Sequence, residues 1–248
     1  MKIALARLGA VLVVLVAWQL LSLRGLPEFV LSPVEIAKHF VAALGTPELY
    51  LDAAASLARA LPGFAIGTVL GIALGLAAGI ARSFDEMLSP LVFLTYPVPK
   101  IVMLPVFMLW FGIGDLSKVL IIALACFYPA FINAYYGARA TRRILVWSAR
   151  NMGASEAEIF RRVVLPGALP QIFAGLRDAL ALSFIVMFAA EMINARSGLG
   201  HLIREAENSL RFDLMYVSLL TIAILGYAGD RLIRFLRGYF LPWEESHA

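Results

Sequence analysis

Long runs of apolar residues, separated by short polar segments, organise this chain. A membrane-crossing helix needs about 20 mostly apolar residues, and runs near that length fall at 4–23, 60–81, 88–111, 118–138, 169–193 and 213–233. They neither alternate with period two, as half-buried strands do, nor carry the polar stripe of a soluble amphipathic helix. The pattern predicts an all-α membrane protein of about six transmembrane helices. The first run follows Met1-Lys2 much as a signal peptide would. It is too long for one, and Leu21-Ser22-Leu23-Arg24 offers no small-x-small cleavage site, so it reads as the first span.

The polar segments have patterns of their own. Ser32-Pro33-Val34-Glu35 combines a capping box with proline at the first helical position, predicting a short helix that stops near Gly45. Leu199, Leu202, Ile203, Ala206 and Leu210 share one helical face while Arg204, Glu205 and Glu207 lie elsewhere, as an interfacial helix requires. Gly63, Gly67, Gly71, Gly75 and Gly79 recur every four residues. Another helix backbone, from this chain or a second copy, can approach closely along that stripe. Residues 148–166 read as a helical elbow. Its first arm ends at Gly153, which suits the left-handed position after a helix. Ser155 then caps a second arm with Glu158 as reciprocal partner, and Pro166 and Pro170 are expected to close it before the fifth span. Such a doubly capped elbow is more than a connection requires and marks a docking point.

Composition sharpens this picture. Of 248 residues, 61% are hydrophobic and only 15% charged, against about a quarter charged in a soluble domain, and the mean hydropathy is +0.84. Cys126 is the single cysteine, and His39, His201 and His247 have no Cys or His neighbour at ligand spacing, so no metal or other cofactor is expected. A pI near 9.4 raises the question of nucleic acid, but the positive excess is local. Arg139, Arg142, Arg143, Arg150, Arg161 and Arg162 face only Glu156 and Glu158 in that stretch, an excess equal to the whole chain's net charge of +4. A cytoplasmic loop beside the anionic lipid bilayer accounts for it, and no nucleic-acid partner is expected. With both termini inside, the inner segments hold more Lys and Arg than the outer ones, whose basic residues are Arg24, Lys38, Arg59, Lys118, Arg196, Arg204 and Arg211. That asymmetry predicts cytoplasmic N and C termini.

The elbow resembles the EAA loop of ABC importer permeases, roughly E-A-A-x-x-x-G-A with a downstream phenylalanine and Leu-Pro. Ala149, Gly153, Ala154, Phe160, Leu165 and Pro166 match it, while Trp147 stands at the motif's glutamate and Ser148 at its first alanine. Tyr96-Pro97-Val98-Pro99-Lys100, Leu104-Pro105, Leu109 to Gly114, Gly175-Leu176-Arg177, Ala190-Glu191-Met192-Ile193 and Gly198-Leu199-Gly200 are similar to the nitrate/sulfonate/taurine branch. Their order around the elbow extends the resemblance over most of the chain. It implies a type I ABC importer (MetI-like) fold, with a first helix and periplasmic segment over 1–55, a core permease domain over 56–240 and a cytoplasmic tail over 241–248. It also implies a multi-pass inner-membrane permease subunit that is not itself an enzyme and that passes small, often anionic solutes. The implied partners are a second permease copy in a homodimer, a cytoplasmic ABC ATPase subunit and a periplasmic or lipid-anchored substrate-binding protein. The ATPase-coupling surface is expected around Ala149, Arg150, Gly153, Ala154, Ser155, Glu158, Phe160, Arg161, Leu165 and Pro166.

Ionisable residues within spans are candidates for a solute pathway. Lys100 falls near the middle of the third span, just after Pro97 and Pro99, whose missing amide donors must break or kink the helix. Irregular backbone at that depth is tolerated where it is buried in protein or lines a watery cavity. Two such lysines in a two-fold dimer would favour a bound anion; pairing with a carboxylate or with helix carbonyls is the structural alternative. Arg177 and Glu191 lie about 21 Å apart along the fifth span, toward opposite interfaces. Tyr96, Asn133 and Tyr135 complete the pathway candidates. No G-x-x-x-x-G-K-[ST] phosphate loop occurs, so an energy source would have to be another subunit. The internal repeats and coupling carboxylates of a secondary transporter, and the metal or serine–histidine sets of a membrane enzyme, are not evident.

Overall fold

Helix α1 (Lys2–Ser22) is followed by α2 (Pro33–Ala43) and the long α3 (Pro47–Ile80). Next come α4 (Arg82–Thr95), a 3-10 turn (Lys100–Met103) continuing into α5 (Leu104–Phe111), and α6 (Asp115–Arg139). The following connection holds α7 (Arg143–Asn151) and the short α8 (Glu156–Ile159), and a π-helical segment (Phe160–Val164) leads into α9 (Leu165–Asn194). Helices α10 (Leu199–Asn208) and α11 (Phe212–Phe240) end the series. This computed structural model describes the backbone of residues 2–23, 27 and 29–242, and their side chains except at 2–8 and 143. Arg24 and positions 243–248 of the expected tail, with His247, lie outside the described residues. There is no strand among the described residues, so the chain is all-α there.

Among the described residues, four helices are long and apolar enough to cross a membrane: α3, α6, α9 with its α8 extension, and α11. A fifth crossing results if α4 and the turn-plus-α5 piece form one span, bent by 92°. The six-span expectation exceeds this because the described apolar part of α1, Gly9–Ser22, falls short of a crossing. The break in the third span lies where Pro97 and Pro99 withdraw two amide donors. Its size, close to a right angle, was not expected.

Helix α3 begins at Pro47, not at residue 60, so the expected boundary at 55/56 falls inside it. This carries Arg59 out of the outer connection, where the charge count had put it, and into a helix interior. Asp52, Ser56 and Arg59 follow one another at helical spacing and look like the end of an apolar run. They face partners instead of water, so the helix continues through them. The elbow's second arm is likewise not closed by Pro166 and Pro170. The segment Glu156–Asn194 is helical throughout, and the Leu165 amide reaches back to the Phe160 carbonyl in the wide π pattern. Widening the helix just before Pro166 relieves the clash that its ring would make with the preceding turn.

Helix α6 is the centre of the bundle, between α3 and α9. The α3 glycine stripe packs on α6 of the same chain. A Cβ at Gly67 would lie 2.2 Å from the Ala123 carbonyl oxygen, and one at Gly71 would lie 2.5 Å from that of Phe127. On the opposite side Gly175 of α9 admits Asn133, to which a Cβ would come within 2.7 Å. The core between them is filled by Ile121, Ile122, Cys126, Phe173, Ala179 and Met187. The capping box of α2 forms as expected, with Ser32 Oγ accepting from the Glu35 amide and Glu35 accepting from the Ser32 amide at 2.8 Å. These bonds hold the Glu35 carboxyl below its ordinary pKa. Helix α10 buries Leu199, Ile203 and Ala206 as its pattern required. Leu210 departs from that face: the helix stops at Asn208, and Leu210 takes a positive φ of 55° and points to the outside.

Backbone contact this close leaves no room for a side chain. Gly71→Leu should destabilise the bundle by at least the ~1–3 kcal/mol typical of overpacking, whereas Gly9→Leu, whose Cβ meets nothing within 4 Å, should be neutral. Thermal unfolding in one detergent checks this; equal melting temperatures for the two variants would refute the packing role of the stripe.

Candidate functional site

The elbow is built by local rules and is stiff for that reason. At the end of α7 the Gly153 amide donates to the Arg150 carbonyl at 3.0 Å and the Ala154 amide to the Ala149 carbonyl at 3.1 Å. This pair of bonds is the Schellman motif, and it requires the positive φ of 83° that Gly153 adopts. Ser155 then caps α8, its amide and hydroxyl each donating to Glu158 Oε2 at 2.9 Å. Arg150 joins the two arms through Glu156 at 2.6 Å. Of the expected coupling residues, Ala149, Ala154, Phe160 and Leu165 pack inward on Ile159, Val164 and Ala168. Arg150, Gly153, Ser155, Glu158 and Arg161 face outward, and Pro166 is half-buried. Apolar side chains also project from the elbow and its first arm, Trp147 at 56% and Met152 at 86% exposure, with Ile144 and Leu145 exposed on the same arm. Sequence reasoning noted Trp147 only for the glutamate it replaces and missed Met152 altogether. Their sign was an apolar residue on the outer face of a capped arm.

Between the elbow and the ends of α3, α4 and α6 lies a cavity of about 600 Å³ lined by Arg82, Asp85, Arg139, Arg150, Glu156 and Phe160. Tyr135 is held beside it. Its hydroxyl donates to Asp85 Oδ1 at 2.9 Å, and Arg139 donates both to Asp85 Oδ2 at 2.8 Å and to the Tyr135 oxygen. Asn133 sits in the α6–α9 seam, its Nδ2 donating to the Pro129 carbonyl at 2.9 Å. Arg177 reaches across to Asp230 of α11 at 2.8 Å, and Asp230 also receives Arg234.

Lys100 stands in the bend after α4. Its three ammonium protons go to the carbonyls of Thr95 at 2.6 Å, Val98 at 2.7 Å and Tyr96 at 3.2 Å. The same nitrogen lies 3.8 Å over the ring of Tyr128. Carbonyls around the proline break, at the negative end of a helix dipole, thus find a cation, and that of Thr95 also accepts the Val98 amide at 3.2 Å. The structural alternative of carbonyl pairing is the one the geometry realises. Beside it is a cavity of about 300 Å³ lined mainly by apolar groups, with Tyr96, Lys100, Tyr128, Leu182, Ile185 and Ala189 among them.

The most buried charges lie elsewhere, and Lys118 is one of them: expected in an outer connection, it is buried in α6 at 3% exposure and donates to the Gly114 carbonyl at 3.1 Å. Arg59 and Glu191 are 4% and 0% exposed and pair at 2.6 Å. Arg59 also bonds Asp115 at 2.6 Å and the Ser197 carbonyl and hydroxyl at 2.7 and 3.0 Å. Glu191 receives Ser56 Oγ at 2.8 Å and the Gly200 amide at 3.0 Å, while the Leu199 amide donates back to Ser56 Oγ. Gly198 crosses directly over this carboxylate with a φ of 111°; a Cβ there would lie 2.5 Å from Glu191 Oε1. Of the pathway candidates, the structure therefore brings Tyr96 and Lys100 to one cavity and sets Glu191, Tyr135, Asn133 and Arg177 in separate contacts.

A broken apolar helix, a doubly capped elbow and a buried charged knot thus share one helical bundle. The family model of the binding-protein-dependent transport system inner membrane component matches residues 67–242. The chain belongs to that family. It is a multi-pass inner-membrane permease subunit of a binding-protein-dependent ABC importer. A protein of Escherichia coli (strain K12) named as an aliphatic sulfonates transport permease is 38% identical over 94% of this chain and 90% of its own length. A riboflavin transport system permease protein of Chloroflexus aurantiacus is 37% identical over 95% of this chain and 88% of its own. The fold also matches a chain of a methionine ABC transporter solved in inward-facing conformations. That match has a TM-score of 0.60 at 22% identity and covers 73% of this chain and 92% of the other. The matched stretch contains the permease's elbow, Lys100 and Glu191, but begins downstream of Ser56 and Arg59.

Removing one member of the buried knot should cost more than removing both. Glu191→Met leaves the Arg59 guanidinium buried with less to neutralise it, an expected loss of about 3–5 kcal/mol, and Arg59→Met/Glu191→Met should recover part of it. The yield of monodisperse permease and its melting temperature measure this. A double variant no better than Glu191→Met would refute the pairing as the reason for both residues.

Proposed function

We propose that two copies of this permease form the path by which a small organic anion, nitrate-, sulfonate- or taurine-like, enters the cytoplasm, driven by ATP hydrolysis on a separate subunit docked at the elbow. One observation carries the coupling: the helix that begins in the elbow at Glu156 runs without a break to Asn194. That run is roughly 58 Å at 1.5 Å per residue. It passes the cavity beside Lys100 and ends at the Arg59–Glu191 knot, so a displacement of the elbow is transmitted through the membrane rather than lost in a loop. Trp147 and Met152, exposed on a rigid support, give the ATPase apolar anchors. The exposed arginines of this region support its placement, and that of both termini, in the cytoplasm. The substrate-binding protein would then meet the opposite end, where α2 and α10 lie.

The solute class rests on Lys100. Its ammonium lines the cavity at a helix break, and an anion arriving there would compete with backbone carbonyls for it. The sulfonate relative is in keeping with that reading, while the riboflavin relative marks how widely solutes vary around one fold.

Two outcomes test these assignments. Gly153→Glu forces a carboxylate and a disfavoured φ onto the elbow. It should abolish uptake and ATPase pull-down together while the chain stays inserted; normal uptake with normal ATPase retention would remove the elbow from coupling. Lys100→Met should lower uptake per assembled complex at least tenfold, with Lys100→Arg partly active. Normal uptake per complex in Lys100→Met would end the pathway role of the lysine, whatever its effect on yield.

A further inference from the structure

Asp178 is a charge in the bundle for which nothing above accounts. Its neighbour Ala179 accepts the Cys126 thiol through its carbonyl at 3.3 Å, and Cys126 lies close to the midpoint of α6. Asp178 therefore sits near mid-membrane, and so does Arg177 beside it, which was expected nearer an interface. Its side chain is exposed, and among the described residues it has no hydrogen bond or ion pair. Nearby basic groups are already engaged, since Arg177 and Arg234 both bind Asp230. Arg177, Asp178 and Asp230 line a cavity of about 450 Å³ with Ala181, Phe184 and Gly226. A bare carboxylate at that depth is too costly against lipid; such groups face a watery path.

The helix pattern says which path. Ala174, Asp178, Leu182, Ile185 and Ala189 recur at three- and four-residue steps and share one face of α9. The last three line the cavity beside Lys100. The face of α9 that lines the cavity beside Lys100 thus also bears an unpartnered anion, roughly 11 Å along the helix from Ile185 at 1.5 Å per residue. We propose that Asp178 receives the cationic end of the solute, so that the transported molecule is an amine-bearing organic anion. This rests on the pathway reading of Lys100 and narrows its solute class. Arrival of an ammonium group gives Asp178 the partner it lacks, while the acidic end of the same molecule remains for the Lys100–Tyr128 pair.

The test has two arms, both on the complete complex with its ATPase and binding protein. The first needs no solute. Ala181→Cys places a thiol one helical turn from Asp178, and its labelling rates with small cationic and anionic methanethiosulfonates are compared, the unsubstituted chain with its buried Cys126 giving the background. Adding Asp178→Asn should lower the cation-to-anion rate ratio roughly fivefold or more, as expected for a nearby charge in water. A thiol that does not label, or a ratio that does not move, overturns the proposal by placing this face against lipid or the second copy. The second arm compares uptake of 2-aminoethanesulfonate and ethanesulfonate, which differ in the ammonium group. Asp178→Asn should cut uptake of the first at least tenfold and of the second less than twofold, with ATPase co-purification unchanged. Equal effects on both, or none, overturn the amine-bearing class. If the unsubstituted complex imports neither probe, the sulfonate-like reading of the pathway fails, while the labelling ratio still decides whether Asp178 is a cation site.

Discussion

Two opposite charges taken out of water must meet, and in this molecule the meeting of Arg59 and Glu191 organises the half of the bundle far from the elbow. Neither side chain is tolerable there alone. Satisfying both requires α3 to run well beyond its apolar stretch, α6 to start at Asp115, and the turn after α9 to fold back so that its amides reach the carboxylate. Gly198 follows from the same demand, because the chain must cross over Glu191 where no Cβ fits. The close seams of glycine on α3 and α9 extend the effect inward. Once the helix ends are fixed, backbone-to-backbone packing leaves little freedom for sliding.

The bend at Pro97 and Pro99 answers a second constraint with the same logic. Helix carbonyls exposed at a break need donors, and in an apolar setting one ammonium supplies three. Lys100 is at once a structural cap and a charge beside a cavity. An anion that drew the ammonium away would release the carbonyls of Thr95, Tyr96 and Val98.

What the sequence disclosed and what it concealed divide along the range of the interactions. The capping boxes at Ser32 and Ser155, the positive φ of Gly153 and the glycine stripe are rules over three to five residues, and each was legible. Arg59 and Glu191 are 132 positions apart; nothing local joins them, so Arg59 looked like a loop residue and α3 was started too late. The continuity of α8 into α9 was hidden because prolines ordinarily end helices, and a π segment that accommodates one has no sequence signature. Lys100 was visible as an unusual charge, but its engagement by three carbonyls depended on the unforeseen sharpness of the bend. Leu210 kept the period of α10 yet fell past its last turn. Asp178 passed unnoticed because its significance lies in the partners it lacks.

A helix fixed at one end behaves as a lever. The run from Glu156 to Asn194 is tied near one end through Glu191, and a push on the elbow would act at its other end. Displacements along such a rod scale with distance from the fulcrum. At 1.5 Å per residue, a swing of ~4 Å at Glu156 would become ~1.7 Å at Asp178 and ~0.9 Å at Ile185. Any stroke delivered at the elbow would thereby be geared down, with a larger share reaching Asp178 than the helix beside Lys100.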